Sequence, residues 1–172
     1  MPLRRPTADR KPLYTAAERR RRDASPWTLV QGVLAPLQFI VFLVLALVVR
    51  VLATGDGEFA ATVSIVVKTA VLFTIMVTGA IWEKDVFGQY LFAPAFFWED
   101  AASMVVIALH VGYLAALLTG FLDVTGQMWL ALAAYAAYLV NAAQFVLKRR
   151  AARLQGAAAR CGAAAPALGS AA

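Results

Sequence analysis

Two carboxylates, Glu83 and Glu99, flank an aromatic stretch running Trp82-Glu83-Lys84-Asp85-Val86-Phe87-Gly88-Gln89-Tyr90-Leu91-Phe92-Ala93-Pro94-Ala95-Phe96-Phe97-Trp98-Glu99-Asp100. Soluble loops are polar, but this one carries seven aromatic residues and gathers its charges at its two ends. Such a segment belongs at a membrane interface or dips into the bilayer, with Gly88 and Pro94 as its bends. Two helices joined by one loop emerge on the same face, so Glu83 and Glu99 share a side of the membrane whichever way the chain is inserted. That places a paired-carboxylate site within reach, with Asp85 and Asp100 as secondary members. Aromatic belts also occur at any membrane interface, and acidic residues at a helix start suit its dipole. Lys84 then reads equally as a local salt-bridge partner.

Other polar residues fall inside apolar sequence. Lys68 and His110 each sit near the middle of a long apolar run, where an ionisable group is costly and defaults to a functional hypothesis. Lys68 also has the length to snorkel toward the outer face. His110 shares a helical face with Ser103, and Glu99 lies one turn further back. An imidazole there is a metal ligand or a helix–helix hydrogen-bond partner. Tyr135, Tyr138 and Asn141 recur at three-residue spacing among alanines, and Gln31 and Gln38 are seven apart; both sets read as packing faces with polar contacts.

The elements that must position these groups are membrane helices. The chain has 172 residues, 62% hydrophobic and only 15% charged, against about 25% charged in a soluble domain. Four runs, roughly 33–53, 59–82, 101–122 and 127–147, reach the roughly 20 residues a helix needs to cross a bilayer. The fold class expected is therefore all-α and integral to the membrane, with four transmembrane helices. Tight turns at Thr54-Gly55-Asp56-Gly57 and Asp123-Val124-Thr125-Gly126 flank the longer central loop.

Of 16 Lys and Arg, eight precede the first helix and five, from Lys148 to Arg160, follow the last. Under the positive-inside rule both termini are cytoplasmic, which agrees with an even number of crossings. The net charge of +6 is accounted for by topology and attraction to anionic lipid, not by nucleic acid. The expected organisation is a basic arm over 1–26, a four-helix domain over 27–150 and an Ala-rich, disordered tail over 151–172. Within the arm, Thr15 and Glu18 have capping-box spacing, and Ser25-Pro26 reads as a cap followed by a first helical proline. Pro36 is expected to kink the first crossing. The first run is too long and starts too late for a cleaved signal peptide.

The single Cys161 excludes a disulfide framework and a Cys-rich zinc site. There is no phosphate loop, HExxH, nucleophile elbow or dinucleotide fingerprint. The residues alone describe a four-helix membrane protein with an aromatic, carboxylate-flanked vestibule suited to a flat hydrophobic ligand.

Three stretches carry a resemblance. They are Tyr14-Thr15 through Arg22-Asp23-Ala24-Ser25-Pro26-Trp27-Thr28-Leu29-Val30-Gln31-Gly32, Ile81-Trp82-Glu83-Lys84 with the run from Phe87 to Asp100, and Ala134-Tyr135-Ala136-Ala137-Tyr138 with Asn141 and Gln144. Together they resemble the vinyl bacteriochlorophyllide hydratase family of bacteriochlorophyll biosynthesis, over about 13–154. The resemblance implies addition of water to the 3-vinyl group of chlorophyllide a or 3-vinyl bacteriochlorophyllide, giving a 3-(1-hydroxyethyl) product. It implies no cofactor beyond the magnesium the substrate carries, and a photosynthetic bacterium's inner or intracytoplasmic membrane. Contact with other enzymes of the same pathway follows from that setting.

Hydration needs a proton at the terminal vinyl carbon and water at the inner one. A general acid must enter protonated, which aromatic surroundings favour in a carboxyl. Glu83 beside Trp82 and Glu99 beside Trp98 are therefore the expected catalytic pair. His110 is the candidate ligand to the substrate's magnesium or a member of the proton relay, and Lys84 or an N-terminal arginine the partner of its propionate. Trp82, Tyr90, Phe96, Phe97 and Trp98 are the expected macrocycle contacts. The competing reading is a non-enzymatic pigment carrier or assembly factor, which needs the aromatics and His110 but not the carboxylates. A third is a small transporter coupled through Lys68, against which the unusual loop at one face argues.

Overall fold

The computed structural model describes residues 13–163. Among them are six helices: α1 (Ala16–Ala24), α2 (Pro26–Phe42), α3 (Leu45–Thr54), α4 (Glu58–Phe87), α5 (Phe97–Thr119) and α6 (Val124–Ala163). Helices α2 and α3 form one crossing, Pro26–Thr54; α4, α5 and the Val124–Lys148 part of α6 supply three more segments long and apolar enough to span a membrane. This is the expected count of four.

Cross-helix contacts fix the directions. Trp82 Nε1 donates to Thr28 Oγ1 at 2.9 Å and Gln31 Nε2 to Thr78 Oγ1 at 2.8 Å, so α2 and α4 are antiparallel. Lys148 bonds Glu99 and Asn141 bonds Ser103, which sets α6 antiparallel to α5. The α4–α5 loop, α1 and Lys148 consequently gather at one end of the bundle, called here the loop end.

Local sequence accounts for the boundaries. Thr15 caps α1 through the expected box: the Glu18 amide donates to Thr15 Oγ1, and the Thr15 amide donates back to Glu18 Oε2 at 2.6 Å. The Thr15 amide and hydroxyl together hold the Glu18 carboxyl below its ordinary pKa. Pro26 starts α2 as expected, but the Ser25 hydroxyl caps nothing; it donates to Asp85 Oδ2 at 2.8 Å and pins the arm to α4. Pro36 lies within α2, and the first crossing is interrupted instead at Leu43–Val44, where Leu43 N–H and Val44 N–H turn to carbonyls three residues back.

Two expectations shift. The turn before α6 is made by left-handed Gly120, with φ 67°, and Asp123. Asp123 Oδ1 accepts from Gly126 N–H at 2.8 Å, so Gly126 belongs to the first turn of α6 and not to the hairpin. A Cβ at Gly126 would sit 2.9 Å from that same oxygen, which is why the cap is compatible with glycine. The tail expected to lack structure from 151 continues as helix through Ala163, in keeping with alanine's high helix propensity; residues 164–172 lie outside the described ones.

Candidate active site

The α4–α5 loop folds back over the loop end and closes a carboxyl cluster. Helix α4 stops at Gly88, whose φ of 87° is the left-handed conformation that glycine adopts without a Cβ penalty. The chain turns again at 93–96, where Phe96 N–H meets the Ala93 carbonyl at 2.7 Å around Pro94. Both expected bends are thus in place.

Between them, Phe92 adopts φ 59°, the one non-glycine residue at positive φ among those described. Its amide donates to Asp100 Oδ2 at 2.7 Å, and the next amide, Ala93 N–H, donates to Glu83 Oε2 at 3.4 Å. Two successive N–H groups pointing one way form an anion-binding concavity. Here it holds the Glu83 and Asp100 side chains, each through one of the two amides. The pair is nearly sealed, with Glu83 5% and Asp100 4% exposed.

Glu99, one residue before Asp100, is engaged differently. Its Oε2 accepts from Lys148 Nζ at 2.6 Å, and the ammonium lies 4.8 Å from the centroid of the Phe96 ring. The sequence reading coupled Glu83 with Glu99; the structure brings Glu83 together with Asp100 and gives Glu99 a cation of its own. In the sequence Lys148 reads only as a flanking charge. Nothing local signals its contact, which joins residues 49 apart. Asp85 is exposed and bonded to Ser25, away from the pair.

The expected macrocycle contacts divide into two groups. Trp82 and Phe96 are packed together at 5.7 Å, with Phe87 5.7 Å from Phe96 and Phe145 6.0 Å from it. Tyr14, on the arm, stacks on Phe87 at 5.8 Å and has Arg22 over its own ring. That cluster is interior packing. Tyr90, Phe92, Phe97 and Trp98 instead face outward, Trp98 being 74% exposed, with Phe97 touching both Phe92 and Trp98. Lys84 is exposed beside this strip, its Nζ donating to the Gly88 carbonyl at 3.0 Å and lying 5.2 Å from the Tyr90 ring centroid.

His110 is not presented to a ligand in this arrangement. It is fully buried, with Nδ1–H donating to the Val106 carbonyl at 2.8 Å and Nε2 facing Lys68 Nζ at 3.5 Å. Eleven residues separate it from Glu99, about 16 Å along a helix. Lys68 does not snorkel: it is buried over the rings of Tyr138 and Tyr135, at 4.2 and 4.9 Å. Ser103 Oγ accepts from Asn141 Nδ2 at 2.8 Å, so the polar residues of α5 and α6 do meet, as helix–helix contacts.

A family model described as 2-vinyl bacteriochlorophyllide hydratase matches residues 14–151. Two curated relatives carry that same description. The one from Rhodobacter capsulatus is 65% identical over 158 residues, covering 91% of this chain and 92% of its own. The one from Cereibacter sphaeroides is 64% identical over 151 residues, covering 87% and 93%. No solved structure matches significantly.

Proposed function

Because the chain belongs to the 2-vinyl bacteriochlorophyllide hydratase family and is a multi-pass membrane hydratase of bacteriochlorophyll biosynthesis, we propose that its chemistry is carried by the Glu83–Asp100 carboxyl pair. The observation that carries this is the burial of the two carboxyls together beneath the successive Phe92 and Ala93 amides. A pair holding one proton is an acid and a base at once. The protonated member delivers its proton to the terminal vinyl carbon, turning CH₂ into CH₃. The π electrons of the double bond form the new C–H bond, and the positive charge on the inner carbon is delocalised into the macrocycle. Water adds there through its oxygen, and its surplus proton passes to the pair, restoring the starting state. No electrons are exchanged, so the step calls for no redox cofactor.

The exposed Tyr90, Phe92, Phe97 and Trp98 strip adjoins the pair through Phe92, whose amide bonds Asp100. A flat tetrapyrrole lying at the membrane interface against these rings brings its edge toward the carboxyls, with Lys84 available to its propionate carboxylate. Glu99 and Lys148 then hold α5 against α6, and the ammonium offsets the third negative charge beside the pair. Preformed, oriented groups of this kind are where such catalysis arises. His110 acts in this reading as a helix–helix contact, and the substrate's magnesium is left to other ligands.

The flanking Lys and Arg distribution supports an insertion with the loop end in the cytoplasm of the photosynthetic bacterium's inner or intracytoplasmic membrane. There the strip meets pigment handed over by the preceding enzymes of the pathway. The test is incubation of membranes containing the protein with chlorophyllide a, or with its bacteriochlorin counterpart, in heavy-oxygen water. A blue-shifted product heavier by one labelled water is expected. Pigment that binds unchanged in both forms overturns the reading in favour of a carrier.

A further inference from the structure

Six buried polar atoms lack a hydrogen-bond partner among the described residues: the hydroxyls of Tyr113 and Tyr135 and four side-chain amide atoms, Gln38 Nε2, Gln38 Oε1, Asn141 Oδ1 and Gln144 Oε1. Gln38 is 1% exposed and Asn141 7%. An amide buried with both ends unpartnered costs about 1–3 kcal/mol, so native interiors pair such groups with protein or with ordered water.

These residues are stacked. Asn141, Gln144 and Lys148 follow one another on α6 at spacings of three and four, one face of the helix, about 4.5–6 Å apart along the axis. On α5 the matching face carries Ser103 and then Glu99, bonded in turn to Asn141 and Lys148. Gln38 enters from α2 at the same depth. Phe42, one turn away, packs on Tyr135 and Tyr138 at 5.8 and 5.7 Å. Since α2 runs opposite to α6, the turn of α2 before Phe42 is level with the turn of α6 after Tyr138, which holds Asn141.

From this stack we infer a binding site for water: a short file held by Gln38, Asn141 and Gln144 that leads along the α5–α6 seam to Glu99 and Lys148, beside the reacting carboxyls. Each step along the face is the span of one or two water molecules linked at about 2.8 Å. The polar lining is what distinguishes a wet interior site from a dry apolar one. Water is the co-substrate of the reaction, and the Glu83–Asp100 pair has little contact with bulk solvent, at 5% and 4% exposed. A macrocycle whose vinyl edge approaches the pair from the outer strip occupies the solvent-facing side, so a supply from within the bundle reaches the pair when bulk solvent does not. This role rests on the carboxyl-pair reading above for where the water is used; the file itself does not.

Hydroxyl-radical footprinting of the whole protein in heavy-oxygen water reads the file directly. Phe42 and Tyr138, both buried beside it, are expected to take up label with slow exchange of the oxygen, and to lose that label in Gln38→Met. Absence of label at both in the unaltered protein overturns the site. Thermal melting gives a second readout. A dry, unpartnered amide predicts that Gln38→Met raises the melting temperature, whereas a hydrated one predicts no rise, and a rise overturns the file. Turnover separates supply from structure: Gln38→Met is expected to lower kcat about tenfold at unchanged KM for the pigment. Retained label in the unaltered protein with unchanged kcat in Gln38→Met overturns the supply role. Should Glu83→Gln and Asp100→Asn both keep turnover, the carboxyl reading fails while the footprint still reports the file.

Discussion

Asp100, in the first turn of α5, sits with Glu83 beneath the successive Phe92 and Ala93 amides, while Glu99, its chain neighbour, turns away to Lys148. Successive residues on a helix point about 100° apart, so adjacent acids at a helix start can serve different partners. One acid faces α4 and the loop amides; the other faces α6. The cluster of three carboxyls and one ammonium is thereby split into an amide-held pair of acids and an ion pair.

Glu83→Gln and Asp100→Asn are expected to lower kcat by roughly 10²–10⁴ while the folded helix content is kept. Absorbance of the pigment under single-turnover conditions measures this. Near-normal turnover in both variants rejects the pair. Glu99→Gln is expected to lose less than either, because its partner is a cation and not the shared proton.

Lys148→Met strands the Glu99 charge in a partly buried site. Lys148 keeps some solvent contact, so the cost falls between surface and interior values, about 1–3 kcal/mol. Thermal or denaturant unfolding in detergent reports it. Adding Glu99→Gln to Lys148→Met is expected to recover most of the loss; simple additivity of the two variants contradicts the pairing.

Gly88→Ala isolates backbone strain, since a Cβ there meets nothing within 4 Å and only the φ of 87° opposes it. The expected destabilisation is about 1–2 kcal/mol. Turnover should fall more than stability accounts for, because Gly88 sets the path of the loop that carries Phe92 and Ala93. Equal behaviour of Gly88→Ala and the unaltered protein in both assays removes the loop from the site.

Lys68→Met removes an amine whose partners are His110 and two tyrosine rings. Replacing a buried charged group by an apolar one of similar length is often neutral or stabilising, here by up to about 2 kcal/mol. Turnover is expected to stay within about twofold. A large loss of kcat at intact fold would give Lys68 a part in the reaction.

Much of this architecture is legible in the residues. Four apolar runs, the capping box at Thr15 and the bends at Gly88 and Pro94 all rest on local rules of length, capping and φ, and each is found. The preference for Glu99 over Asp100 followed from its neighbour Trp98, but Trp98 points outward. Adjacency in sequence gives no helical phase. Lys148 and the Gln38 level depend on how four helices register against one another, which no single segment encodes. The interruption at Leu43–Val44 has no Pro or Gly to announce it, whereas Pro36, the visible signal, lies within continuous helix.

Lys148 also orders events during synthesis. Glu83, Glu99 and Asp100 leave the ribosome well before it, so three acids meet the membrane with their cation still to come. The carboxyl cluster reaches its final charge balance only when the fourth crossing has been inserted and its last turn docks on α5. A chain interrupted between Thr119 and Lys148 would carry every reacting group and still lack the contact that sorts them.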